Sequence, residues 1–172
     1  MTTTYSKIEK EFIDTLLFFD FDVAYLYENY FNKLKEIKER DDYHPEPSVY
    51  HHLLKVFNRA NTFSTRSTIL TIAAIFHDIG KLETYSKNNN SFGHEYNSAK
   101  LFLELSCTSS LSSINIKNIV WLIENHMRMH QYDNMRKSKQ DLLNSHECFY
   151  YLKLLAKMDD MCNEEFNDTN IQ

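Results

Sequence analysis

Thr65 to Phe76 is the most apolar stretch of the chain: Ile69, Leu70, Ile72, Ala73, Ala74, Ile75 and Phe76 leave it almost no polar face. A helix that is apolar all round has to be covered on every side, so this segment predicts a central, buried helix with other elements packed about it. The run leads directly into His77-Asp78-Ile79-Gly80-Lys81. Gly80 is a helix-ending residue, which predicts His77 and Asp78 in the last turn. Two ionisable groups at the end of a buried helix need a partner, because an uncompensated carboxylate in a low-dielectric interior is costly and normally takes up a proton instead.

The rest of the chain also reads as helical. Two glycines and two prolines in 172 residues disfavour many short strands joined by tight turns, and 42% apolar residues with 14% aromatics supply enough material for one core. The expectation is an all-α fold, a compact bundle of about six to eight helices. It is read as one domain over residues 1–172, with 1–43 a helical extension and 48–162 the core.

Ile8, Phe12, Ile13, Leu16 and Leu17, then Tyr27, Tyr30, Phe31, Leu34 and Ile37, recur at three- and four-residue steps and predict two helices that meet near Asp20 to Asp22. Their aromatics are read as core cover. The alternative is a partner surface, through which the protein would form a homo-oligomer. His44-Pro45-Glu46-Pro47 ends that unit, and Ser48 caps the next helix. There Val49, Leu53, Val56, Phe57 and Ala60 form a stripe with His52 on the same face. His51 falls toward solvent or a groove edge.

Ser86 to Ser91 predicts a polar loop, after which His94 opens an amphipathic helix containing Ala99, Leu101, Phe102, Leu103 and Leu105. Thr108 to Ser113 predicts a second loop, and Ile116, Ile119, Val120, Leu122 and Ile123 mark a helix that delivers His126 at its end. Residues 127–140 read as a polar connection, Ser145 to Met161 as a final helix carrying Asp159, and Asn163 to Gln172 as a polar tail.

Lys and Arg number 19 against 24 Asp and Glu, and a net charge of −5 gives no general attraction for a polyphosphate backbone. Extended nucleic-acid binding is therefore not expected, while a local basic cluster would suit a small nucleotide or one end of a strand. Cys107, Cys148 and Cys162 lack the paired spacing of a zinc ribbon or redox centre and are expected as reduced thiols. There is no basic leader followed by an apolar run, and no stretch approaches the ~20 apolar residues of a bilayer span. A soluble, cytoplasmic protein without membrane association is the expectation.

His52, His77, Asp78 and Asp159 come from three predicted helices, each beside an apolar stripe. Mixed nitrogen and oxygen ligands suit a divalent transition metal or magnesium, and a shared cation keeps buried carboxylates ionised. The alternative for each residue alone is satisfaction by hydrogen bonds.

The order of five segments resembles the HD-domain metal-dependent phosphohydrolase superfamily: His52 in Val-Tyr-His-His-Leu-Leu-Lys-Val, Ala-Ala-Ile-Phe-His-Asp-Ile-Gly-Lys from Ala73 to Lys81, Phe92-Gly93-His94-Glu95, Asn125-His126-Met127, and Asp159. Within it the chain is most similar to the HD domain of bacterial tRNA nucleotidyltransferases. Only 51 residues precede His52 and they read as helices, so a stand-alone module without the transferase head is expected. The resemblance implies a first metal site at His52, His77, Asp78 and Asp159. It implies a second at His94 and His126, with Asp78 bridging, so one or two ions of Mn, Ni, Co, Fe, Zn or Mg; the alternative for His94 and His126 is metal-free phosphate binding.

The implied reaction is attack of water on phosphorus in a phosphomonoester, phosphodiester or cyclic phosphate of a small nucleotide or RNA terminus. Asp78 and Lys81 are the candidate catalytic residues, and Lys81 with Arg128 the candidate phosphate contacts. The competing readings are a nucleotide sensor that does not hydrolyse and a protein-interaction module.

Overall fold

Three serines start the helices that build the core. Ser48, Ser67 and Ser112 each accept the backbone N–H of the residue three further on, at His51, Leu70 and Asn115, which satisfies a donor that the first helical turn leaves over. The computed structural model describes residues 2–38, 46–63, 67–88 and 90–160, and among them every regular element is helical.

Helix α1 spans Thr2–Phe18, and α2 runs from Val23–Leu26 through one wide π-turn, Tyr27–Phe31, into Asn32–Leu34. Then come α3 (Val49–Thr62), α4 (Thr68–Phe76), α5 (Lys81–Asn88), α6 (His94–Leu105), α7 (Ser113–Met129), α8 (Lys137–Asn144) and α9 (Phe149–Asp160). The apolar helix α4 lies at the centre, packed against α3, α6, α7 and α9. Leu70, Ile72, Ala73, Ala74, Ile75 and Phe76 are all fully buried, as a helix without a polar face requires.

The N-terminal helices pack on the same core. Phe12 meets Phe31 and Phe57 edge-on with ring centroids 5.2 Å apart in both cases. Phe12, Leu16, Leu26, Phe31 and Leu34 are buried, so these side chains are core cover. Tyr50, two residues before His52, donates to Glu9 Oε1 at 2.6 Å, and its hydroxyl lies 2.6 Å from that of Tyr27, which pins α1 and α2 to α3. No helix among the described residues is long and apolar enough to cross a membrane.

Three sequence expectations need correction. Gly80 does not end a helix through a left-handed backbone: among the described residues the positive-φ glycine is Gly93, at 80°. Gly80 is required by close packing, because a Cβ there would lie 2.4 Å from the Ser98 backbone nitrogen and 2.5 Å from the His94 carbonyl oxygen. The chain turns tightly through 77–80 and re-enters helix at Lys81. The loop expected from Ser86 is shorter, since α5 continues to Asn88. The connection 127–140 contains the end of α7 and the start of α8, a polar helix that buries only Leu143 and so carries no apolar stripe. His44, Pro45, Cys162 and the tail from Asn163 lie outside the described residues, as does the start of the apolar segment at Thr65.

Candidate metal centre

The tight turn after α4 places His77 and Asp78 in the middle of the fold, and four other helices bring their ligands to it. His52 comes from α3, His94 from the first residue of α6, His126 from the last turn of α7, and Asp159 from the last turn of α9. All six side chains are buried. They fall into two groups that share Asp78: one ligand atom from each of His52, His77, Asp78 and Asp159, and one from each of Asp78, His94 and His126, lie within 4.8 Å of one another.

The carboxylate of Asp78 faces both groups. Its Oδ2 lies 3.5 Å from His52 Nε2 and 3.4 Å from His77 Nε2, while its Oδ1 lies 2.9 Å from His94 Nε2 and 3.7 Å from His126 Nε2. Asp159 Oδ1 closes the first group, 2.9 Å from His52 Nε2.

Three imidazoles are oriented by one device. His77, His94 and His126 each place Nδ1 against the carbonyl of the residue three earlier, on Ala74 at 3.0 Å, Ser91 at 2.6 Å and Ile123 at 2.7 Å. A carbonyl only accepts, so each Nδ1 carries a proton and each Nε2 is the ring nitrogen turned toward the centre. There the nitrogens crowd: His52 and His77 Nε2 are 3.3 Å apart, and His94 and His126 Nε2 are 3.2 Å apart. Asp78 Oδ1 and Oδ2 and Asp159 Oδ1 are buried, with nitrogens at ion-pair distance but, among the described residues, none in hydrogen-bond alignment.

Imidazole nitrogens and carboxylate oxygens converging in a dry site need positive charge between them, as protons on the rings or as a cation, because an uncompensated buried charge costs several kcal/mol. A divalent cation in each group satisfies every donor at once, and mixed imidazole and carboxylate ligation suits first-row transition metals. The residues present therefore fit divalent metal ions.

Without an ion the carboxylates are balanced by protons on imidazoles: burial works against charging His52, but Asp159 and Glu46 push it up to about 9. Asp78 likewise raises His94 against its burial, so a bound cation would take the place of these protons. Burial works against ionisation of Asp78, but His77, Lys81 and His94 outweigh it and hold the carboxyl well below the usual range. Asp159 is likewise held low, against its burial, by His130, His52 and His77. Burial and then the neighbouring His77 push His126 down to about 3, which keeps its imidazole neutral and able to ligate.

Lys81 is buried, with Nζ 2.8 Å from Asp78 Oδ2. It therefore sits inside the site and not on an exposed helix end. Arg128 is exposed, and its guanidinium donates to Asn125 Oδ1 at 3.0 Å.

Two further residues touch the cluster and escaped the sequence reading. Glu46 is buried with Oε1 3.9 Å from His52 Nδ1 and 3.0 Å from Lys55 Nζ. His130 lies behind Asp159, Nε2 to Oδ2 at 3.0 Å. Glu46 is flanked by prolines that draw attention to chain direction, and the one signal for His130 is its four-residue spacing from His126, which puts both on one face of α7.

An all-helical domain with a buried His/Asp cluster suited to divalent cations is the class of protein that this fold and site define. The chain belongs to the HD domain family, whose pattern matches residues 49–163. No significant match was found among curated proteins or among solved structures.

Proposed function

We propose that this protein is a metal-dependent phosphohydrolase that cleaves a phosphomonoester, phosphodiester or cyclic phosphate of a nucleotide or RNA end by attack of water on phosphorus. The observation that carries this reading is the bridging placement of Asp78, one oxygen toward each group of imidazoles. Membership of the HD domain family supports the reaction class.

When bound, divalent ions held by His52, His77, Asp78 and Asp159 and by Asp78, His94 and His126 supply Lewis acidity, which acidifies water and offsets charge on phosphoryl oxygens. The chain's own part is to hold six ligands in register. The backbone carbonyls of Ala74, Ser91 and Ile123 hold Nδ1 of three imidazoles and so aim their Nε2 atoms at the centre, and none of these rings has to rotate before ligating. The ammonium of Lys81 is the phosphate contact we assign at the centre, and Arg128, two residues beyond His126, the contact at its rim.

The segments Phe92-Gly93-His94-Glu95 and Asn125-His126-Met127, which resemble the HD domain of tRNA nucleotidyltransferases, support a nucleotide or RNA terminus as substrate. The net charge of −5 supports a small substrate over a long duplex.

The test supplies Mn, Ni, Co, Fe, Zn and Mg in turn with nucleoside monophosphates, 2′,3′-cyclic nucleotides and phosphodiester-linked dinucleotides. Expected is turnover that chelation abolishes, that added metal restores and that Asp78→Ala lacks. Failure of every substrate and metal to give such turnover sinks the proposal. Tight binding with intact ligand recovered after long incubation would establish a non-hydrolytic sensor instead.

A further inference from the structure

Asp159 is held from behind by a side chain that is not itself in either group of ligands. His130 Nε2 lies 3.0 Å from Asp159 Oδ2, and His130 Nδ1 lies 2.9 Å from Asp160 Oδ1. A carboxylate oxygen only accepts, so Nε2 donates to Asp159, and with Nδ1 at ion-pair distance from Asp160 the ring spans two consecutive acids at the end of α9.

An aspartate carboxylate rotates over a broad range about its last bond, so its direction has to be set by what it touches. Asp159 must present Oδ1 inward, where it meets His52 Nε2 at 2.9 Å and His77 Nε2 at 3.7 Å. A donor fixed on Oδ2 leaves Oδ1 that direction and no other. His130 can fix it because it is the C-cap residue of α7, one turn beyond His126. The same helix end thus supplies a ligand to one group and a support to the other.

We propose that His130 is a positioning residue for the cation site formed by His52, His77, Asp78 and Asp159: by donating to Asp159 Oδ2 it aims Oδ1 at that site. This rests on the metal-centre reading above and extends it outward by one residue. Asp160 steadies the ring from outside, and with its own side chain 65% exposed it contributes less than His130 does.

Mn2+ binding to the purified full chain, by calorimetry and electron paramagnetic resonance, tests this without reference to turnover. His126→Ala removes a ligand from the other group and so isolates the site in question; His52→Ala does the reverse. In the His126→Ala background, adding His130→Ala is expected to weaken Mn2+ binding about 10–100-fold, the usual cost of losing an outer partner of a ligand. In the His52→Ala background the same change is expected to alter affinity less than about threefold.

His130→Gln keeps an N–H donor and is expected to restore most of the loss. Equal weakening in both backgrounds would mean a merely structural role and overturn the proposal, as would unchanged affinity in the first. Should His130→Ala fail to fold by circular dichroism, Asp160→Asn carries the test: a loss of about two- to fivefold confined to the first background supports it, and none overturns it. Absence of Mn2+ binding by the unaltered protein would instead remove the metal-centre reading, and this inference with it.

Discussion

At Gly80 the main chain has no room for a methyl group. The atoms that a Cβ would meet are the backbone of Ser98 and His94, which cannot swing aside as a side-chain end could. Gly80→Ala is therefore expected to cost about 3 kcal/mol, the upper end of the range for overpacking. It should also displace the start of α6, and with it His94, so that Mn2+ binding to the Asp78/His94/His126 group weakens. Gly93 presents the opposite case: nothing lies within 4 Å of a Cβ there, and only its φ of 80° resists substitution. Gly93→Ala should cost about 1 kcal/mol, and Gly93→Asn less, since Asn tolerates that backbone. Urea unfolding of the three variants checks the order, and equal losses for the two alanine changes would contradict it.

The helices were legible where an apolar stripe marked them. His52 shares a face with Val49, Val56 and Phe57, and the buried run before His77 could be read as the central helix from its lack of any polar side. Legibility failed where burial is slight. Helix α8 buries Leu143 alone, so its periodicity is polar and gives no signal. The role of Gly80 was misread because a glycine required by a neighbouring helix looks, along the chain, the same as one that ends its own. Support from outside the ligand set escaped for two reasons: the His130 contact with Asp159 joins residues 29 apart in sequence, and Glu46 reaches His52 from outside any helix, where no periodicity marks it. The pin between α1, α2 and α3 was equally invisible, and it makes a prediction at this scale. Burial pushes the Tyr27 hydroxyl up to about 12, with its bond to Tyr50 working against this and Glu9 adding to it. A group whose folded value is raised gives its full stability below pH 10 and loses it as pH rises toward 12. Stability measured by urea unfolding should fall across that interval, and Tyr27→Phe should flatten the fall; an unchanged slope would refute the assignment.

For the whole molecule, ligands from five parts of the chain meet at one place, so an ion bound there ties α3, the 77–80 turn, α6, α7 and α9 together. An ion that binds the folded state alone, supplied at 100 times its dissociation constant, stabilises it by about 2.7 kcal/mol. For a chain of this length that corresponds to a rise in Tm of roughly 5–10 °C. Differential scanning calorimetry with Mn2+ and with chelator should show it, and Asp78→Asn should abolish it. A rise that survives Asp78→Asn would place the ion elsewhere. The sharing of a single carboxylate has one more outcome. A cation drawing on one oxygen lowers the pull of the other, and linkage makes that penalty mutual and equal in both directions. Two ions drawing on it would therefore bind with unequal strength whichever arrived first. With metal scarce, the prevailing species would carry one ion, and the second arrival would set how much of the protein reaches the two-ion form.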